Sequence, residues 1–336
     1  MFAVVQFFGG ARLRLLSWEG STNAPNVPSM RVAGVWVPHT MVVREHLLRH
    51  HLGHLVDGRK GPGDSWDSAG WVDVRTWASE DLKLAEVEIA REAAAGAQLV
   101  MFPELCFVAF DGEGVTDDGK VDFDLSKANV VDTLAEYAIK HNVWVGAGVG
   151  TNEPFKMVEG LSKFTDVVLE KGGAGMVGVE ANRFMLFPPT AQGTDGSAIL
   201  DYFKKNPVAI IEKPFGVAGN SSVPVTSVAL GSDPHSLTRV GSVICFDMEN
   251  PWHVKQLGLT TDVILNPSYD WPGLNPYHAR IVAFRAIETG STVFHHCLAG
   301  TTVAVDYLGN VLSSSDYFSK NNNGGQSCVP EQAETR

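Results

Sequence analysis

The feature that most constrains this chain is an alternation of amphipathic helical stretches with short, unbroken apolar runs. Leu82, Ala85, Ile89 and Ala93 recur at helical spacing, with charges filling much of the remaining surface. Ser79 is the expected N-cap, with Glu80 and Asp81 in the first turn, and Gly96 is the expected stop. The run AQLVMFPE (97–104) follows at once. An apolar run without polar alternation is a strand covered on both faces, as in a sheet packed between helices. The pattern returns as a helix over 130–142 and a strand over 143–150. Further strands are expected at 31–38, 178–187, 206–213, 223–230 and 241–245. A helix after Pro251 leads to a strand over 261–268. Asn275 is the expected cap of another helix, with Pro276 at its first position, running to Thr289 and ending at Gly290. STVFHH (291–296) and TTVAVDYLGNVL (301–312), the latter turning near Leu308 and Gly309, complete the core. This is an α/β arrangement with helices packed on sheets, without internal repeats.

Length and composition narrow the classes. The 336 residues suit one large domain over 31–315, an irregular segment 1–30 and a disordered tail 316–336. Residues 39–77 read as a long loop. A net charge of −12 argues against a general nucleic-acid surface, which needs a basic footprint. Cys106, Cys245, Cys297 and Cys328 are widely spaced without a CxxC, which points to a reducing, cytoplasmic setting rather than a disulfide framework. No apolar run reaches the roughly 18 residues of a membrane span. In MFAVVQFFGGARLRLL the charges Arg12 and Arg14 follow the apolar patch, the reverse of a signal peptide. Membrane contact is not expected, and that patch is the one place that keeps it open.

Three strand ends carry chemistry: Glu104 in MFPELCF, Lys213 in IIEKPFG and Cys245 in GSVICFDM. In open α/β sheets, ligand sites lie beyond the carboxyl ends of strands, so an acid, an amine and a thiol could converge there. A free thiol titrates near pH 8.5, and both a helix N-terminus and a nearby lysine favour its thiolate. A carboxylate can take the thiol proton and later activate water or an amine. The lysine and the backbone N–H of Phe246 could stabilise an oxyanion, each such donor typically worth roughly 3 kcal/mol.

These segments, with GAQLVMFPE, VICFDMENP, ILNPSYDWPG and FRAIETGSTV, resemble the nitrilase, or carbon–nitrogen hydrolase, superfamily over roughly 31–315. From Cys245 onward the wording is most similar to the branch containing the apolipoprotein N-acyltransferase catalytic domain. The resemblance implies an α-β-β-α sandwich of two mixed sheets and a Glu-Lys-Cys triad, carried over as Glu104, Lys213 and Cys245. It implies a small-molecule amide or acyl substrate, a covalent thioester, no metal or organic cofactor, and a homo-oligomer, with a dimer the usual form. One departure stands out. The family usually has a second glutamate a few residues after the lysine, whereas KPFGVAGNSSVPV has no acid. Amide hydrolysis is the leading reading. Acyl transfer to an amine and a catalytically degenerate binding module are the alternatives.

Weaker candidates are Tyr269, Asp270 and Trp271, which follow a strand and could line a pocket, and His278, which could touch substrate. Asp270 could equally hold a turn before Pro272. Arg285 and Glu288 read as a structural ion pair. Gly173, Gly175 and Gly178 form a GxGxxG, but a strand-like run follows instead of the required helix. His46, His50 and His54 read as a solvated helical face without a completing carboxylate or Cys, and FHHC (294–297) as strand packing. The chain has no GxSxG elbow.

Overall fold

The structure, a computed structural model, describes residues 30–37, 68–109, 127–153, 179–190, 198–208, 219, 222–229 and 237–317. Two mixed sheets lie face to face among these residues. The first contains β1 (Val32–Gly34), β2 (Leu99–Met101), β3 (Phe107–Ala109), β4 (Trp144–Glu153), β5 (Val179–Phe187) and β6 (Leu200–Phe203). Its order is β1-β2-β4-β5-β6, with β3 also pairing β4. The second contains β7 (Val225–Ala229), β8 (Leu237–Ser242), β9 (Val263–Tyr269), β10 (Thr292–Leu298), β11 (Thr301–Val305) and β12 (Val311–Asp316), ordered β12-β11-β10-β9-β8-β7. Helices α1 (Ser68–Ala94), α2 (Lys127–Lys140), α3 (Pro251–Val254) and α4 (Tyr277–Thr289) complete the described frame. The α/β expectation of two mixed sheets flanked by helices is met.

The period-2 alternation of strand side chains explains the layering. On β5, Met185 and Phe187 join a core with Ile89 of α1 and Leu134 of α2. Phe184 and Leu186 face the other way, into a second core with Leu265 and Val293 of the opposite sheet and Val282 and Ala286 of α4. Each sheet is thus buried on both faces, as the unbroken apolar runs required. None of the described helices is long and apolar enough to cross a membrane.

Several boundaries differ from expectation. Helix α1 begins at Ser68, so Ser79 lies inside it, buried, and is not its cap. Tertiary packing overrides the weak local signal of a serine. Pro276, not Asn275, is the N-cap of α4, while the Asn275 amide donates to Asp316 Oδ1 at 3.1 Å. Residues 206–208 of the expected 206–213 strand are not in a strand, and the rest of that run lies outside the described residues. The nearby strand is β6, six residues earlier at its start. β8 stops at Ser242, three residues before Cys245. Gly290 ends α4 with φ +66, and Gly309 turns the β11–β12 hairpin with φ +88. Lys213, Cys328, the histidines 46, 50 and 54, the GxGxxG run and the segments 1–29 and 318–336 lie outside the described residues.

His295 and His296 on β10 pack in the interior, as FHHC suggested. His295 Nδ1 meets Asn266 Oδ1 at 2.5 Å, and His296 Nε2 meets the Val35 carbonyl at 2.8 Å. The Asn266 amide already donates to Val243 O at 2.7 Å, so its Oδ1 is an acceptor and His295 Nδ1 carries the proton. Burial pushes His295 down to about 3 and His296 down to about 4. These rings fold neutral, whereas the unfolded chain protonates them near pH 6.5. Stability is therefore full above pH 6.5 and is lost as pH falls toward 4. Denaturant titrations should show each ring removing on the order of 2 kcal/mol between pH 7.5 and pH 5. His296→Gln should flatten that fall, and an equally steep fall in the variant would contradict this assignment.

Candidate active site

The path of the chain after β2 sets the position of Glu104. β2 and β3 both pair with β4 in parallel, at Trp144–Gly146 and Val149–Thr151. β5 occupies the other edge of β4 from Val145 to Glu153. β2 and β3 therefore lie end to end on one edge, and residues 102–106 make an excursion between them. That excursion passes over Gly148. A Cβ there would sit 2.2 Å from Pro103 O, 2.7 Å from Leu105 N and 2.8 Å from Glu104 Cα, a space only glycine leaves open. Leu105 takes φ +52 to complete the turn.

The excursion delivers Glu104 into the interior, 1% exposed. Its Oε1 accepts from Asn182 Nδ2 at 2.6 Å and from Lys204 Nζ at 2.7 Å. Its Oε2 accepts from the Tyr269 N–H at 2.8 Å. Lys204 directly follows β6 and is 2% exposed. Its backbone N–H bonds Asn182 O at 2.9 Å, and its carbonyl accepts from Gly219 N at 2.7 Å. A buried carboxylate and a buried ammonium are tolerable only together and with further hydrogen bonds. This pair has both.

Cys245 opens a short 3₁₀ turn, Cys245–Glu249, and is 4% exposed. Its φ is +44, a left-handed conformation that costs on the order of 1–3 kcal/mol in a residue with a Cβ. Such strain concentrates where a side chain must be aimed. The Cys245 Sγ lies 4.0 Å from the Tyr269 carbonyl. One residue thus meets both groups: the Tyr269 N–H holds Glu104, and its C=O faces the thiol.

Asp247 ties the lysine segment to the cysteine turn. It is fully buried. Its Oδ2 accepts from Tyr202 Oη at 2.7 Å and from Ile244 N at 3.2 Å. Its Oδ1 accepts from Asn206 N at 2.8 Å and Asn206 Nδ2 at 2.9 Å. Arg285 pairs with Glu288, as expected, and its Nε also donates to Met248 O at 2.7 Å, so α4 clamps the same turn. Beside the thiol, Asp270 Oδ1 meets His278 Nδ1 at 2.8 Å, both residues 2% exposed. Phe246 and Trp271, which follow Cys245 and Asp270 in the chain, are 39% and 40% exposed.

Of the candidates from sequence, Glu104, Cys245, Tyr269, Asp270 and His278 come together, and Lys213 lies outside the described residues. Sequence reasoning missed Lys204, Asp247 and Asn182. A signal for Lys204 was present: Leu200 and Tyr202 are core residues, and Lys204 continues their side of the strand at period 2. Cys245, Asp270 and His278 carry donor atoms within 4.8 Å of one another, as do Asp270, His295 and Cys297. Such residue types also ligate metals, but His278 Nδ1 is engaged with Asp270 and His295 Nδ1 with Asn266.

The carbon–nitrogen hydrolase family model matches residues 68–321, most of the chain. The chain belongs to the carbon–nitrogen hydrolase family. Solved structures agree on the fold. An amidase from Nesterenkonia sp. superposes with a TM-score of 0.52 at 17% identity, covering 88% of this chain and 90% of that one. A mutant of the Nesterenkonia sp. AN1 amidase, with the acetamide moiety of fluoroacetamide added covalently at its active-site cysteine, gives 0.54 at 16% identity, covering 88% and 89%. A double mutant of that amidase in complex with acrylamide gives 0.53 at 16%, covering 87% and 88%. Among curated proteins, none matches. This carbon–nitrogen hydrolase is thus an enzyme of the nitrilase superfamily.

Asp247→Asn tests the clamp. The amide puts a donor where the carboxylate now accepts five bonds, the fifth from the Lys205 N–H at 3.4 Å, and the loss of one buried charged acceptor should cost about 3 kcal/mol in urea unfolding. A cost below about 0.5 kcal/mol would show that Asp247 does not hold these segments.

Proposed function

We propose that this carbon–nitrogen hydrolase cleaves small amides through a covalent thioester, with Cys245 as nucleophile, Glu104 as general base and acid, and Lys204 as the lysine of the triad. The observation that carries this reading is the buried Glu104–Lys204 pair at 2.7 Å, joined to the Cys245 turn through Tyr269. Lys204 also removes the departure noted in the sequence. Counted from Lys204, the run KNPVAIIE supplies an acid, Glu212, where counting from Lys213 found none. The degenerate-module reading rested on that missing acid and loses its support. The covalent adduct at the active-site cysteine of the Nesterenkonia sp. AN1 amidase supports a thiol nucleophile in this fold.

The chemistry follows from the positions. Glu104 takes the Cys245 proton, and the sulfur bonds to the amide carbon. Lys204 Nζ and the Phe246 N–H stabilise the oxygen that becomes negative. The C–N bond then breaks, and the amine leaves with the proton from Glu104. Water, deprotonated by Glu104, attacks the thioester, and the C–S bond breaks to release the acid. An amine in place of water would give acyl transfer. The sequence likeness after Cys245 is the reason to include an amine acceptor in the assay.

Intact-mass spectrometry and turnover with a panel of short amides test the assignment. Wild type should turn over at least one amide, and Cys245→Ala none. Glu104→Gln should lower kcat at least about 100-fold. Lys204→Gln, which keeps a donor against Glu104, should also lower it about 100-fold. Lys213→Gln should stay near wild type. Loss in Lys213→Gln with activity retained in Lys204→Gln would return the lysine role to Lys213.

A further inference from the structure

Behind the nucleophile lies an ion pair that the triad does not use. Asp270 is the first residue after β9, directly after the Tyr269 that joins Glu104 to Cys245. Its N–H is fixed to Leu298 O at 2.9 Å. Its carboxylate holds His278 of α4 at 2.8 Å, and Ser268 Oγ donates to the same oxygen at 3.3 Å. The Cys245 sulfur, an Asp270 oxygen and a His278 ring nitrogen lie within 4.8 Å of one another. His278 Nε2 is buried without a hydrogen-bond partner among the described residues. A buried imidazole bound to a carboxylate, with one ring nitrogen unspent and a thiol within 4.8 Å of a ring nitrogen, is more than core packing needs.

We infer that His278, oriented by Asp270, is a positioning residue for the nucleophile, its charged ring holding the Cys245 sulfur as thiolate before substrate arrives. This rests on Cys245 being the nucleophile. No proton moves through His278: the thiol proton goes to Glu104, and the imidazolium stays charged through the cycle. The groups facing the ring fit this role. Asp270 and Ser268 come from β9 and its end, His295 from β10, Glu249 and Cys245 from the 3₁₀ turn, and Glu104 from the excursion, while Cys297 of β10 lies beside Asp270. Burial works against a charged His278, but the bond to Asp270, the Asp270 charge, and then Glu249 and Glu104 outweigh it and raise its pKa. Burial likewise works against the Asp270 charge, and the bond and charge of His278, with a bond from Cys297, outweigh it. Cys297 is pushed well up by burial and the Asp270 charge, so it stays a neutral thiol and does not compete for the role. His295 is neutral as well. The sign is definite. The pair is complete from below neutral pH, where Asp270 is ionised, until pH rises through the elevated His278 pKa.

The test is the pH profile of Cys245 alkylation by iodoacetamide, followed by peptide mass spectrometry, which needs no substrate turnover. Wild type should label with a midpoint below the ordinary thiol value near 8.5. His278→Gln should raise that midpoint by about one unit, so labelling at pH 6.5 slows about tenfold while labelling above pH 9 recovers. Asp270→Asn leaves the ring in place but removes its charge partner, and should shift the midpoint the same way by less. Far-UV circular dichroism confirms that each variant is folded, and Asp270→Asn carries the test if His278→Gln does not fold. An unchanged midpoint in the folded variants, a downward shift in Asp270→Asn, or a wild-type midpoint at the ordinary thiol value overturns the inference. If amide turnover is absent but the profiles shift as stated, the ion pair stands and the amidase reading falls.

Discussion

The active-site architecture depends on one buried ion pair. Two charges taken out of water cost several kcal/mol each unless their partners are close and their remaining valences are satisfied. Glu104 and Lys204 meet that condition at 2.7 Å, with Asn182 and the Tyr269 N–H completing the carboxylate. Yet β2 and β6 are not neighbours; β4 and β5 lie between them. The pair forms because the chain leaves β2, crosses the bare backbone of Gly148 and carries Glu104 toward β5 and β6. A glycine with no catalytic atom therefore decides where the acid sits.

The second sheet brings the sulfur to this pair through backbone groups. Tyr269, at the end of β9, donates to Glu104 and turns its carbonyl toward Cys245. Asp247 binds both the Cys245 turn and the segment after Lys204, so a shift in one sheet is passed to the other. Arg285 of α4 holds the turn from the outer layer. The left-handed φ of Cys245 survives because these contacts over-determine it. The sandwich is thus a means of registering two sheet ends against each other.

Much of this was legible in the sequence, and the exceptions have physical causes. Unbroken apolar runs at 97–104 and 143–150 gave buried strands because burial on both faces removes polar alternation. Gly96, Gly290 and Gly309 marked turns because each takes a positive φ. Glu104 and Cys245 were visible as polar groups ending apolar runs. Lys204 was not, because a lysine at a strand end is ordinarily solvated; what buries it is a carboxylate 100 residues earlier. Asp247 was hidden for the same reason, since its partners Tyr202 and Asn206 lie more than 40 residues away. Ser79 misled because a local cap signal says nothing about a helix that packing extends. His278 was noticed without a role, and its meaning came only with Asp270 beside it.

The central claim is that Lys204, paired with Glu104, faces the carbon attacked by Cys245. The most direct measurement is a crystal structure of the acyl-enzyme, trapped by flash-cooling wild-type crystals soaked with a short amide. The expected result is a thioester on Cys245 whose carbonyl oxygen lies within hydrogen-bond distance of Lys204 Nζ and the Phe246 N–H. A thioester oxygen bound by Lys213, or an acyl group on any other residue, would contradict it.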